Sequence, residues 1–314
     1  MTRYLLRRAA LFAATLVAAS VIVFVVLAVL PGKPADVILG TQATPSAVRA
    51  LTDKLGLDKP IWRQYVEWIG GLVTGHLGTS YISGQPIASE LAGALEVTGP
   101  LVGLGLFVGM VVAVPLGVFS AVRSRRVSGV VASMLNQIGI AVPSFVLGIL
   151  LIIVAGVELR LLPTGGFTGW SDPAGALRSL VLPAVALGVV EGAIVGRYVR
   201  TAVLDVLYSD YLRTARAKGL TPTRALVRHG LRNVAVPVLT VLGLELAGLV
   251  VGAVIVENVF TLPGMGTLLL QSVENRDLIV VEDIVLLIAA VVLVVNFVVD
   301  ILYHYLDPRI AREL

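Results

Sequence analysis

The chain has no cysteine and only three histidines, His76, His229 and His304. Disulfides, thiolate catalysis and cysteine-ligated zinc or iron–sulfur centres are therefore excluded, and no two histidines stand at a metal-ligand spacing. Charge is scarce: Asp, Glu, Lys and Arg make up 14% of 314 residues, against 57% hydrophobic ones, whereas soluble domains carry about 25% charged residues. Also missing are a G-x-x-x-x-G-K-[ST] phosphate loop, a G-x-S-x-G elbow, an H-E-x-x-H zinc helix and an aspartate pair suited to intramembrane proteolysis. These absences predict a non-enzymatic chain without its own cofactor or metal site. Neither internal repeats nor low-complexity tracts occur, and the mean hydropathy of +0.94 makes lipid the expected solvent.

A helix needs roughly 20 apolar residues to cross a bilayer core about 30 Å thick. Six segments qualify: Ala9 to Leu30, Val97 to Val122, Val127 to Val157, Ser179 to Val199, Val234 to Val256 and Ile284 to about Leu306. The first follows Arg3, Arg7 and Arg8, but it is longer than a signal-peptide core and lacks a small-x-small cleavage site, so it reads as a retained span. The predicted fold is an all-α membrane protein of six transmembrane helices.

Arginine and lysine in short loops set orientation. Arg3, Arg7 and Arg8 precede the first span, Arg123, Arg125 and Arg126 join the second to the third, and a third basic cluster joins the fourth to the fifth. All fall on one side. The connection 258–283 instead holds Glu274, Asp277, Glu282 and Asp283 against Arg276. Both termini are expected in the cytoplasm. The division that follows is a cytoplasmic N-terminus and first helix over 1–30, an extracytoplasmic helical insertion over 31–94, a five-helix core over 95–306 with a cytoplasmic loop at 205–232, and a cytoplasmic tail over 307–314.

Within the insertion, Thr44-Pro45 opens a short helix that Gly56 can close, and a second helix starts near Pro60 and ends at Gly70-Gly71. Ile61, Trp62, Tyr65, Val66 and Ile69 share one face of it, while Arg63, Gln64 and Glu67 face away. That face suits either packing on the protein itself or lying in the outer membrane interface.

The third basic cluster reads "YLRTARAKGLTPTRALVRHGLRN". Ser209 and Asp210 are N-cap types and Gly219 is a helix stop, so Tyr211 to Lys218 is expected to form about two turns, with a second helix starting at Thr221-Pro222. A DNA-binding helix-turn-helix shares this outline. Here, however, membrane spans tether both ends, no third helix or dimer arm is left to present a recognition helix, and nucleic acid is not the expected partner. Topology anchoring accounts for the charges but not for the small residues Ala215, Ala217 and Gly219 between them. Docking onto a cytoplasmic protein accounts for both, because a rigid elbow between two spans transmits force into the membrane.

"DYLRTARAKGL" followed by "RHGLRNVAVPVLTVLGLELAG" resembles the cytoplasmic EAA loop and following span of binding-protein-dependent ABC importer permeases, in the dipeptide and oligopeptide branch. "GLDKPIWRQYVEW", "GHLGTS", "VPSFVLGILLI", "VENVFTLPGMG" and "NFVVDILYHYLDPRI" extend the likeness over essentially the whole chain, and a nickel importer of the same branch is similar. The resemblance implies the type I permease fold and a bacterial plasma (inner) membrane location. It implies a translocation path shared with a second, homologous permease, two cytoplasmic ATPase subunits that carry ATP and Mg, and an extracytoplasmic peptide-binding protein. The coupling segment it implies comprises Asp210, Tyr211, Arg213, Thr214, Ala215, Arg216, Ala217, Lys218 and Gly219. Arg213 and Thr214 stand where the name-giving motif begins, so a salt bridge from its glutamate has no counterpart here.

Charged or strongly polar groups inside spans are costly, about 2.5 kcal/mol or more when ionised, unless paired or wet. Glu191, Glu245 and Asn136 are thus candidates to line a path that attracts a cation or a peptide ammonium group. Equally, they can hold helices together, with Arg197 or a partner permease as neighbours. Asp300 near the end of the last span suits an anchoring role. The same glutamates support a rival class, an ion-coupled secondary transporter; a structural scaffold is a third. ATP-dependent uptake, gradient-driven uptake and no uptake distinguish the three.

Overall fold

The computed structural model describes residues 2–29, 34–40 and 43–306. The tail at 307–314 and the side chain of Asp300 lie outside the described residues. Thirteen α-helices occur among the described residues: α1 Thr2–Val29, α2 Pro34–Leu39, α3 Pro45–Lys54, α4 Ile61–Thr74, α5 Ile87–Val122, α6 Val127–Ala141, α7 Ser144–Leu151, α8 Pro173–Leu207, α9 Asp210–Ala217, α10 Pro222–Ala225, α11 Leu231–Val259, α12 Met265–Glu274 and α13 Leu278–Leu306. Five are long and apolar enough to cross a membrane, and a bent pair brings the number to as many as six.

That pair corrects the expectation of a straight span from Val127 to Val157. α6 and the following α7, continued by a π-helical stretch Ile152–Glu158, meet at 97°. The cause is local. A proline disfavours helical geometry in the residue before it, and Val142 takes an extended backbone ahead of Pro143.

One compact unit comprises residues 1–97 and 263–294. In it, Ile87, Leu91 and Ala94 of α5 share a core with Met265 of α12 and with Val280 and Ile284 of α13. Phe24 of α1 packs against Tyr65 and Trp68 of α4, with ring centroids 5.3 and 5.9 Å apart, and the Ser20 and Tyr65 hydroxyls hydrogen-bond at 2.9 Å. In α4, Tyr65 and Trp68 are thus half-buried, while Ile61, Trp62, Val66 and Val73 stay exposed. Gln64, expected to face away, instead donates to the carbonyls of Leu57 and Lys59. Gly70 and Gly71 lie inside α4, and Gly75, at φ 77°, ends it. The exposed Glu67 carboxylate accepts from Lys59 and Arg63, and the Lys59 hydrogen bond is the main cause that holds its pKa below the ordinary value.

Asp277 organises the far end of this unit. Its carboxylate accepts from the Ser80 hydroxyl and from the amides of Tyr81 and Ile82. Trp68 donates its indole N–H to Asp283 at 2.8 Å. Glu282 and Asp283 belong to α13, which starts at Leu278, six residues before the expected Ile284.

The other unit comprises residues 98–262 and the chain from Val295 onward. Within it, α5 approaches α8 through two glycine rows, Gly105, Gly109 and Gly117 facing Gly188, Gly192 and Gly196. A Cβ on Gly188 would lie 2.5 Å from the Gly105 carbonyl oxygen, and one on Gly192 would lie 2.8 Å from that of Gly109. Small residues let membrane helices approach to backbone contact, where packing replaces the absent hydrophobic drive.

Candidate coupling elbow and buried polar site

The helix α8 ends at Tyr208, and Ser209 begins α9 in extended geometry. Ser209 occupies the N-cap position without capping; its hydroxyl donates back to the Val206 carbonyl. Gly219, at φ 93°, turns the chain, and Thr221 then caps α10 by accepting from the Arg224 amide. The expected helix, glycine turn and helix are all present. A π-helical turn, Leu226–Gly230, leads into α11.

Leu212 is fully buried and fixes α9 to the rest. It shares a core with Val203, Val206 and Leu207 of α8, Leu226, and Val234 and Val238 of α11. Gly230 permits this closeness, since a Cβ there would meet Val206 at 2.7 Å and Leu226 at 2.9 Å. Asn233 at the start of α11 donates to the Tyr211 hydroxyl at 2.7 Å, a second tie across the elbow.

Asp210, Tyr211, Arg213, Thr214, Arg216, Ala217, Lys218 and Gly219 all lie exposed. Ala215 differs from expectation: it packs against the core with Leu220. The low surface is consequently formed by Ala217 and Gly219, and a Cβ on Gly219 would meet nothing within 4 Å. Arg213 pairs with Asp210 at 3.5 Å in solvent, an interaction worth little on its own. The outward face is therefore basic, shallow and firmly backed.

The proposed path residues divide. Asn136 of α6 is 2% exposed and neither end of its amide has a hydrogen-bond partner among the described residues. It stands beside Gly196 of α8, where a Cβ would lie 3.1 Å from its amide oxygen. Glu191 of α8 is buried with one carboxylate oxygen unpartnered, and half-buried Glu245 of α11 is within electrostatic reach of it. Arg197 does not reach Glu191 as a partner: its guanidinium lies 5.1 Å from the Tyr198 ring centre and lines, with Asn136, Gln137 and Arg200, a cavity of about 300 Å³ between α6 and α8. Buried polar groups without a partner of this kind call for an explanation such as an ordered water or ion.

Sequence reasoning missed Glu257. Glu257 follows the apolar run Val234 to Val256, yet it is fully buried and accepts the Thr98 hydroxyl at 2.5 Å. The only signal was its position one residue beyond an apolar run.

The family model described as "Binding-protein-dependent transport system inner membrane component" matches residues 113–312, and the corresponding N-terminal model matches residues 1–90. The glutathione transport system permease protein GsiC of Escherichia coli strain K12 is 37% identical over 313 residues, covering 100% of both chains. The protein of the same name from Shigella flexneri serotype 5b is 36% identical with the same coverage. A crystal structure of an amino acid ABC transporter with histidines superposes with a TM-score of 0.48 at 17% identity, covering 70% of this chain and 93% of that one.

Proposed function

The chain belongs to the binding-protein-dependent transport system inner membrane components, and we propose that it couples ATP hydrolysis on cytoplasmic partners to the import of short peptides. As an ABC importer permease it is a multi-pass translocation subunit of the inner membrane. The finer assignments are these: the elbow α9 docks into an ATPase, ATP and Mg bind there, a second permease completes the path, and an extracytoplasmic binding protein delivers cargo. Relatives named for glutathione transport support a small peptide-type cargo over nickel.

The observation that carries the coupling role is the contrast within α9, whose exposed basic face is backed by the buried Leu212. A topology anchor needs charge alone; a lever needs a rigid connection to both spans. Closure of an ATPase pair would push α9, and the ends of α8 and α11 would follow it. Glu191, Glu245 and Asn136 belong to the buried part of the same unit, where they suit contact with cargo or with the second permease.

The test is co-purification from native membranes. Gly219→Arg places a large side chain on the shallow surface at a left-handed backbone position, and it loses the ATPase while remaining membrane-inserted. Gly219→Asn, which tolerates that backbone, retains it. Retention of the ATPase by the arginine variant together with full transport would sink the assignment, and uptake driven by an ion gradient alone would return the mechanism to the glutamates.

A further inference from the structure

Beneath α4 the first unit holds a partly open cavity of about 620 Å³, within the size range of small-molecule sites. It takes no part in the coupling described above. Phe24, Trp68, His76, Tyr81, Glu67 and Glu282 are among its walls, which makes it mostly apolar and aromatic with two carboxylates, one of them already held by Lys59 and Arg63.

Glu282 sets its chemistry. The residue is 9% exposed, yet its carboxylate has no hydrogen bond and no cation among the described residues. The neighbouring acids have partners: Asp277 holds three donors, Glu67 is held by Lys59 and Arg63, and Asp283 takes the Trp68 indole on one oxygen while its other oxygen is buried without a partner among the described residues. A carboxylate without a partner on the wall of a largely apolar cavity is an acceptor that a cationic guest would complete.

The surroundings favour a positive one. Burial, and then the charges of Glu282, Asp277 and Asp283, push the Tyr81 phenol up to about 12. The field in this corner is therefore negative. A metal ion is a poor fit, because no group of three or more His, Asp or Glu could hold one among the described residues. Aromatic walls instead suit an organic cation, whose charge gains from the ring faces while its apolar part displaces water.

We propose that this cavity binds an organic primary ammonium ion, with Glu282 as its counter-ion and Phe24 and Trp68 against its apolar part. Two sources share that chemistry: the amino terminus of a short peptide and the headgroup of an aminophospholipid. The proposal does not depend on the coupling reading, since the site is confined to this chain.

Trp68 supplies the readout, in full-length protein purified in detergent with Trp62 and Trp170 replaced by phenylalanine. Titration with n-propylammonium is expected to give a saturable change in Trp68 emission, and n-propanol, equal in size but uncharged, gives none. Glu282→Gln weakens the apparent affinity by about tenfold or more, while Glu282→Asp retains it in part and guards against misfolding as the cause. Leucyl-alanine competing where its N-acetyl form does not identifies the peptide source; competition by a short-chain phosphatidylethanolamine but not by the phosphatidylcholine identifies the lipid. An equal response to propanol, or a Glu282→Gln titration identical to that of the parent, overturns the proposal and means that Glu282 carries its own proton.

Discussion

Leu212 sits among charged and polar neighbours, and nothing in the composition of that segment singles it out. The charges of "DYLRTARAKGL" were legible in the sequence, because basic residues between apolar runs are conspicuous. The side chain that makes them mechanically useful was not, since its burial depends on how α8 and α11 converge. Truncation there removes packing without touching the exposed face. Leu212→Ala is expected to destabilise the protein by about 2–5 kcal/mol, read as a lower thermal midpoint in detergent, whereas Arg216→Ala leaves the midpoint within error. Asp277 offers a second residue-scale case. Replacing it with asparagine removes a charged acceptor from three donors, each such hydrogen bond being worth about 1.5–3 kcal/mol. The expected outcome is faster protease cleavage at 80–84 in Asp277→Asn than in the parent. Equal cleavage rates would show that the loop is held by other contacts.

Among the elements, helix existence was far more legible than helix length or contact. Six apolar runs were found where the structure places helices, but α5 and α13 begin several residues earlier than their apolar stretches, because hydropathy marks the depth of lipid and not the hydrogen-bonded ladder. Pro143 was visible in the third run, and the extended Val142 before it agrees with sterics; the largely apolar composition on both sides concealed the break. The glycine rows of α5 and α8 were hidden in the same way. Spacings of four and eight residues at Gly105, Gly109 and Gly117, and of four at Gly188, Gly192 and Gly196, are present in the sequence, but which row meets which is a tertiary fact. The contact makes a sharp expectation. Gly188→Val pushes two methyl groups towards the Gly105 carbonyl and Val108, and overpacking of this kind costs about 3 kcal/mol. Reduced yield of folded protein by size-exclusion chromatography is the readout, with exposed Gly93, where a Cβ meets nothing within 4 Å, as the comparison site for the same substitution.

For the molecule as a whole, the bent pair decides the topology. Arg123, Arg125 and Arg126 precede α6, and the basic elbow follows α8. If basic loops stay in the cytoplasm, the chain between Val127 and Pro173 must cross the membrane once in total, despite its 97° break. Neither leg achieves this as a straight rod, since a 15-residue helix such as α6 is only about 22 Å long. The alternative is a re-entrant excursion, which returns the chain to the side from which it started. The absence of cysteine makes the distinction direct, because any introduced thiol is the only one in the chain. A membrane-impermeant maleimide applied from outside is expected to label Ser83→Cys and Ser171→Cys, and to reach Ser124→Cys and Thr223→Cys only after permeabilisation. Labelling of Ser171→Cys with the inner pair would mean a re-entrant loop. The following helix α8 would then carry the chain outward and leave α9 on the outer surface, where no ATPase could reach it. One labelling pattern thus tests the orientation, the crossing and the coupling surface together, since the three stand on a single count of crossings.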